Sequence, residues 1–272
     1  MVPGNFHLLN PPPDDARLDG VPSAADLHLC APSVVGYSFA IKRWGRFDVE
    51  KLAPIKWKED AFSRLVLSEQ RKELIRGLVG ADRSGLITDI ISSKAGGFLV
   101  ILHGKPGTGK TLTAEAAAEA AGKPLMILSA AELSNRVDEV EARLANILNM
   151  CKEWNAILLI DEAEVFLESR SLGDVYRNSI VSVFLRLLEY HQQVIFLTTN
   201  HIARLDTAFK SRIAVAFRYP DLDEAARQEI WGRFLDLAGV KILEPGTGTL
   251  AENGITRAEL VALAIEKLNG RY

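Results

Sequence analysis

The sequence GKPGTGKT occupies residues 104–111, between an apolar run at 98–103 and an alanine-rich segment that starts at 112. It fits the pattern Gly-x-x-x-x-Gly-Lys-Thr, in which glycines let backbone N–H groups converge on a phosphate at the start of a helix. Lys110 can place a positive charge on the β and γ phosphates of a nucleotide, and the Thr111 hydroxyl suits Mg²⁺. We therefore predict a phosphate-binding loop between a strand and a helix. The predicted nucleotide-binding residues of this stretch are Gly104, Lys105, Pro106, Gly107, Thr108, Gly109, Lys110, Thr111 and Leu112.

Five short β-rich runs alternate with helical stretches along the chain. The runs lie at 98–103, 125–129, 157–160, 194–198 and 213–219. Apolar side chains recur at helical spacing between them, most clearly at 133–151 and 180–188. This alternation predicts a parallel sheet with helices on both faces, an α/β fold in three α/β/α layers.

Three regions follow from the composition along the chain. Residues 1–54 are predicted to be a flexible linker, because their start contains three consecutive prolines at 11–13 and no sustained apolar period. Residues 55–220 hold the predicted sheet and its helices. Residues 221–272 are predicted to form a partial helical subdomain, with helices on both sides of a loop rich in Gly and Thr.

A second motif follows the third β-rich run, where ILLI at 157–160 leads directly into Asp161 and Glu162. Four consecutive apolar residues indicate a central strand, whose carboxyl end faces the ligand crevice of an open α/β sheet. Asp161 is predicted to join Thr111 around Mg²⁺, and Glu162 to polarise the attacking water. Taken alone, the two acids could instead begin a helix, where negative charge is favourable.

Bulk composition excludes several classes of function. The chain has 32 basic and 35 acidic side chains and a net charge of -3, which does not indicate nucleic-acid binding. Its apolar runs are too short for a membrane-spanning helix. The cysteines Cys30 and Cys151 have no metal-ligand spacing, and the N-terminus lacks a secretory signal. The default expectation is a soluble intracellular protein of the cytoplasm or nucleus.

Together these motifs resemble the AAA+ ATPase family over about residues 55–272. Stretches at 158–170, 182–190 and 217–223 are similar to a fungal subgroup of that family. The resemblance implies a P-loop NTPase sheet of strand order 5-1-4-3-2 followed by a helical lid. It also implies ATP bound between neighbouring subunits of a homo-oligomeric ring, usually a hexamer.

The resemblance assigns roles to three further residues. Asn200, at the end of the fourth run, matches the sensor asparagine that helps to hold the attacking water; its alternative is an Asn that begins a turn. Arg212 matches the arginine finger that reaches a neighbouring subunit's ATP. The commonest family pattern has two arginines three residues apart, and this chain departs from it with Lys210 followed by Arg212. Arg170 matches another interface arginine, and its alternative is a solvated loop residue.

Two features depart from the family pattern. The segment at 129–137 has no aromatic residue of the kind with which threading members grip a polypeptide. The sequence also ends where the next lid helix would begin, so we predict a partial lid of a longer ATPase. In that lid Leu260, Leu263, Ala264 and Leu268 would have apolar surface left to cover.

The leading hypothesis is a Mg²⁺-dependent ATPase whose catalytic residues are Lys110, Glu162, Asn200 and Arg212, and which remodels an unknown protein client. The alternative is an ATP-gated assembly or binding module with slow or no hydrolysis. A small-molecule phosphotransferase is disfavoured, because the Asp161-Glu162 pair and Asn200 suit water activation and no acceptor site is visible.

Overall fold

The computed structural model describes residues 30–58, 60–80, 97–129, 132, 136–167, 175–189, 191, 193–202, 207–243 and 254–265. The chain divides into two compact units, residues 1–56 and 57–272. Within the described residues, no helix combines the length and the apolar character needed to cross a membrane.

The first unit contains an antiparallel hairpin of β1 (Ser33–Ser38) and β2 (Arg43–Asp48), followed by a short 3-10 helix at Val49–Lys51. Tyr37 lies opposite Trp44, and their rings meet edge to face with centroids 5.7 Å apart. Such cross-strand aromatic pairs stabilise a hairpin. The sequence analysis placed these residues in a linker and did not predict the hairpin, because the pair is recognisable only once the register is known.

The second unit is built on a five-stranded parallel sheet. Its strands are β3 (Phe98–Gly104), β4 (Leu125–Ser129), β5 (Ile157–Asp161), β6 (Val194–Thr199) and β7 (Ile213–Tyr219). They lie side by side in the order β4-β5-β6-β3-β7. If these five strands are numbered 1 to 5 in chain order, so that β3 is 1 and β7 is 5, their order read from β7 is 5-1-4-3-2. The predicted fold class and strand order are therefore confirmed.

Helices cover the sheet and continue beyond it. The remaining elements are α1 (Glu69–Gly80), α2 (Lys110–Ala120), α3 (Val137–Glu153), α4 (Glu164–Leu167), α5 (Val175–Glu189), α6 (Thr207–Lys210), α7 (Glu224–Leu237), β8 (Lys241–Leu243), β9 (Gly254–Thr256) and α8 (Arg257–Ile265).

The central strands β3, β5 and β6 are buried on both faces, whereas alternate residues of the edge strand β7 are exposed. On one face Val100, Phe196 and Phe217 belong to a core cluster that also contains alanines of α2. Side chains alternate along a strand, so Leu99 and Ile101 point to the opposite face, where they are 5% and 0% exposed. Burial on both faces explains why the strands read as continuous apolar runs.

The helices α7 and α8 pack together after the sheet. Arg227 of α7 donates from Nε to the Ala264 carbonyl oxygen at 2.6 Å and from Nη1 to the Leu222 carbonyl oxygen. Leu260 is only 6% exposed and Ala264 is fully buried. The prediction that these two side chains have apolar surface left to cover is therefore wrong, because both are buried in the structure. Leu263 is half-buried, and Leu268 lies outside the described residues.

Candidate functional site

The loop between β3 and α2 has a backbone that requires glycine at its first position. Gly104 has φ +154°, and a Cβ there would lie 2.3 Å from the carbonyl oxygen of Tyr219 on the adjacent strand β7. Any side chain would therefore push β3 and β7 apart. Gly107 and Gly109 also have positive φ values, 79° and 90°. The chain can thus turn sharply from the strand into α2, which begins at Lys110.

The Lys110 ammonium lies at the centre of this turn. Its side chain crosses the loop, and the residue is 8% exposed. Nζ donates to the carbonyl oxygens of Gly104 and Lys105 at 2.7 and 2.8 Å, and to Oδ1 of Asn200 at 3.0 Å. The structure therefore brings together Lys110 and Asn200, which are 90 residues apart in the chain.

Thr111 and Asp161 also meet at this edge of the sheet. Thr111 Oγ1 donates to Asp161 Oδ1 at 3.1 Å. A hydroxyl and a carboxylate oxygen are hard ligands of the type that Mg²⁺ prefers, and Mg²⁺ usually completes its octahedron with phosphate oxygens and water. In the described part of the chain no group of three or more His, Cys, Asp or Glu side chains could hold a metal ion.

Another acidic group, Glu115 of α2, lies close enough to Asp161 for the aspartate charge to affect the pKa of Glu115. Burial raises the pKa of Glu115, and the negative charge of Asp161 raises it further. A cation between these two carboxylates and the loop would reduce their repulsion. This electrostatic arrangement is consistent with the hard donor set of Thr111 and Asp161.

Glu162 has an unusual backbone for a residue with a side chain. Its φ is +54°, in the left-handed region, which costs about 1–2 kcal/mol outside glycine. Two hydrogen bonds from the neighbouring strand offset this cost: Glu162 N–H donates to Thr198 Oγ1 and Ala163 N–H donates to the Thr198 carbonyl oxygen, both at 2.9 Å. Glu162 itself is exposed, directly after the last residue of β5.

Two residues that the sequence analysis left out take part in the site. Thr198 is 1% exposed and contacts both Asp161 and Glu162 through its hydroxyl. Glu164 accepts the Asn200 N–H at 2.6 Å and the Thr199 hydroxyl at 3.3 Å. The run Thr198-Thr199-Asn200 places three polar side chains at a strand end, and this pattern is the sequence signal that indicates Thr198.

The rim of the loop is exposed. Lys105 Nζ forms an ion pair with Asp221 Oδ2 at 2.5 Å, and Thr108 Oγ1 donates to the Lys105 carbonyl oxygen at 2.8 Å. Pro106 is exposed, as is Leu112, whose relative exposure is 56%. These positions leave the loop open on one side.

Arg212 is the predicted catalytic residue that the fold keeps apart from the other three. It precedes Ile213, which pairs with Leu99 at the start of β3, whereas Tyr219 pairs with Gly104. The length of β7, six residues at about 3.3 Å each, places Arg212 about 20 Å from the loop, at the amino ends of the strands. The Arg212 Nη1 donates to the Ala208 carbonyl oxygen at 2.9 Å. Arg170 and most of 130–135 lie outside the described residues.

Comparison with known proteins identifies the family. The family described as "ATPase family associated with various cellular activities (AAA)" matches residues 100–221, which include the loop, Asp161, Asn200 and Arg212. A Drosophila melanogaster protein named "ATPase family AAA domain-containing protein 3A homolog" is 26% identical over 62% of this chain and 28% of its own length. A Danio rerio protein named "Outer mitochondrial transmembrane helix translocase" is 30% identical over 52% of this chain and 42% of its own length.

A solved structure shows the same fold. A chain of the E. coli MS115-1 HORMA:CdnC:Trip13 complex superposes with a TM-score of 0.54 at 19% identity, over 78% of this chain and 77% of that one. The matches to the two curated relatives span less than half of those proteins. The family match, the strand order and the loop at the carboxyl ends of the strands together show that residues 100–221 carry an AAA domain.

Proposed function

We propose that this chain binds ATP with Mg²⁺, hydrolyses it to ADP and phosphate, and couples the turnover to remodelling of a macromolecular partner. The observation that carries the proposal is the convergence of Lys110, Thr111, Asp161, Glu162 and Asn200 at the carboxyl ends of adjacent strands. Phosphoryl transfer depends on positioning and charge stabilisation more than on covalent chemistry, and these side chains supply both.

Each residue has a distinct part in the proposed reaction. The loop's N–H groups and the start of α2 bind the phosphates, and Lys110 exchanges its carbonyl partners for phosphate oxygens. Glu162 accepts a proton from the attacking water, and the Asn200 amide orients that water. Thr111 and Asp161 would hold Mg²⁺, which neutralises charge on the β and γ phosphates when bound.

Arg212 enters the proposal as a group supplied to a second copy. It lies about 20 Å from its own phosphate loop by the length of β7, so it fits a finger that acts on a neighbour's ATP. A head-to-tail interface of this kind closes into a ring. We therefore propose a homo-oligomeric ring, with a hexamer as the expected size.

The proposed partner is a protein. The Danio rerio relative is named for a polypeptide cargo, a transmembrane helix, and this supports a protein client for the present chain.

Two variants test binding and hydrolysis separately. Lys110→Ala should abolish binding of a fluorescent ATP analogue, because the loop loses its only side-chain charge aimed inward. Glu162→Gln should bind ATP normally and lose phosphate release by a factor of at least about 100. Lys152→Ala and Glu153→Gln, on the exposed end of α3, remove the same charges elsewhere and serve as matched controls.

The results also decide between an ATPase and an ATP-gated module. Equal phosphate release from the wild type and Glu162→Gln would remove the catalytic assignment of Glu162, and release at the background rate from both would favour the gated module. ATP-dependent assembly, measured by mass photometry, would then be the remaining nucleotide effect. Assembly together with turnover supports the proposal in full.

A mixing experiment tests the role of Arg212. In an equal mixture of Lys110→Ala and Arg212→Ala chains, about one quarter of head-to-tail interfaces would combine an intact loop with an intact finger. Activity should therefore recover to roughly one quarter of the wild-type value, although each variant alone is inactive. Arg64→Ala, an exposed surface arginine, is the control for loss of charge. No recovery at any ratio would contradict action between subunits.

A further inference from the structure

The end of β6 holds a threonine whose hydroxyl bonds in two directions. Thr198 Oγ1 donates to Asp161 Oδ1 and accepts the Glu162 N–H at 2.9 Å. The Thr198 carbonyl oxygen accepts the Ala163 N–H, also at 2.9 Å. One residue of β6 therefore contacts three consecutive residues at the end of β5.

This contact is a consequence of the sheet register. Ile160 pairs with Leu197, so the next residues along the two parallel strands, Asp161 and Thr198, lie side by side. Thr198 is 1% exposed, which keeps water from replacing its partners. Its hydroxyl has one proton and two lone pairs, so it can donate to the carboxylate while it accepts from the amide.

We propose that Thr198 is a positioning residue that orients Asp161 and holds Glu162 in its left-handed conformation, and so aligns the metal-binding and water-activating carboxylates. Thr198 acts through those two residues and touches no substrate itself. The Thr198 hydroxyl proton orients the Asp161 carboxylate through Oδ1, the same oxygen that accepts the Thr111 hydroxyl, so one carboxylate oxygen joins β6 to the start of α2. The inference rests on the proposed ATPase function for its catalytic consequence, but its structural part holds for the free chain.

Thr198→Val tests this role, because valine keeps the shape of threonine and removes only the hydroxyl. In the free chain the Glu162 amide should exchange with solvent about tenfold faster, since its acceptor is gone. The Ala163 amide is an internal control, because its acceptor is the main-chain oxygen of residue 198 and is retained. Thr198→Ser keeps the hydroxyl and should restore slow exchange at Glu162.

Turnover and metal dependence give the functional readout. In Thr198→Val we expect kcat for ATP to fall about 10- to 100-fold with KM within about twofold, and the Mg²⁺ concentration for half-maximal binding of fluorescent ADP to rise by a similar factor. Thr198→Ser should recover both quantities to within about threefold of the wild type. A general loss of packing would slow both variants and would move the Ala163 amide as well.

Three outcomes would overturn the inference: unchanged Glu162 exchange in Thr198→Val, unchanged kcat and Mg²⁺ requirement, or a serine variant as impaired as the valine variant. A wild-type chain that binds nucleotide and does not hydrolyse it would remove the proposed ATPase activity alone. The exchange and Mg²⁺ measurements would still decide the role of Thr198, so the two failures are distinguishable.

Discussion

The hydrogen bond between Tyr219 and Thr113 joins the edge strand β7 to the helix of the phosphate loop. Tyr219 OH donates to Thr113 Oγ1 at 2.8 Å, and the two residues are 6% and 1% exposed. Thr113 in turn donates to the Gly109 carbonyl oxygen at 2.8 Å. In Tyr219→Phe the threonine keeps that bond, so the loss is one neutral hydrogen bond, about 1 kcal/mol of unfolding free energy at neutral pH.

The difference in unfolding free energy between the wild type and Tyr219→Phe should become smaller at alkaline pH. Burial raises the pKa of Tyr219 to about 12, against the opposing effects of the bond to Thr113 and the charge of Arg71. The folded state therefore resists ionisation, and the stability that depends on the neutral phenol is present below about pH 10 and is lost as pH rises towards 12. At about pH 10.5 the ionisation of the tyrosine in the unfolded state lowers the unfolding free energy of the wild type by roughly 0.8 kcal/mol, and Tyr219→Phe has no phenol to ionise and is not affected.

Urea unfolding of both proteins at pH 7 and at about pH 10.5 measures the effect. We expect a difference of about 1 kcal/mol at the lower pH and close to zero at the higher pH. The double variant with Thr113→Val shows whether the neutral-pH term belongs to the pair, because its cost should be less than the sum of the single costs. A pH-independent difference would refute the reasoning, since it would mean that the phenol ionises equally in both states.

Three further predictions concern other contacts. Glu164→Ala should lower kcat about tenfold, because Asn200 loses the carboxylate that accepts its N–H, whereas Glu164→Gln keeps an acceptor and should stay within about threefold by phosphate release. Burial raises the pKa of Cys151 to about 12, so a thiol reagent at about pH 8 should modify the exposed Cys30 in the native chain and Cys151 only after urea is added; rapid modification of both would contradict this. Arg227→Ala removes the bonds to Leu222 and Ala264 and should destabilise α8 by about 1.5–3 kcal/mol, seen as faster amide exchange in α8 with β3 unchanged; equal acceleration in both would indicate global destabilisation.

The sheet could be predicted because its signals are local. The central strands β3, β5 and β6 are buried on both faces and therefore read as short apolar runs. The turn that GKPGTGKT forms requires glycine at Gly104. The strand order came from a family resemblance and is confirmed by the pairing of β3 with β6 and β7. Propensity and spacing alone would have left that order open.

The omissions have a common physical cause. Thr198 and Glu164 bond to residues more than 30 positions away, and a shift of one residue in the register of β5 and β6 would break both contacts. The hairpin of β1 and β2 likewise depends on the pairing of Tyr37 with Trp44. The sequence of α8 alone does not show that this helix packs against α7, and the prediction of uncovered apolar surface at Leu260 was wrong for that reason.

The position of Arg212 has a consequence for how the site could work. The carboxyl ends of parallel strands lie at the same end of the sheet, and Lys110, Asp161 and Asn200 gather there. Arg212, which directly precedes β7, lies at the amino end of that strand, at the opposite end of the sheet. A rotation of the Arg212 side chain cannot span about 20 Å, since a fully extended arginine reaches roughly 7 Å from its Cα. A charge from Arg212 can therefore reach a transferring phosphate only across a contact between two copies. If that contact forms, hydrolysis becomes a property of the interface, and the nucleotide itself can report to each chain whether its neighbour is in place.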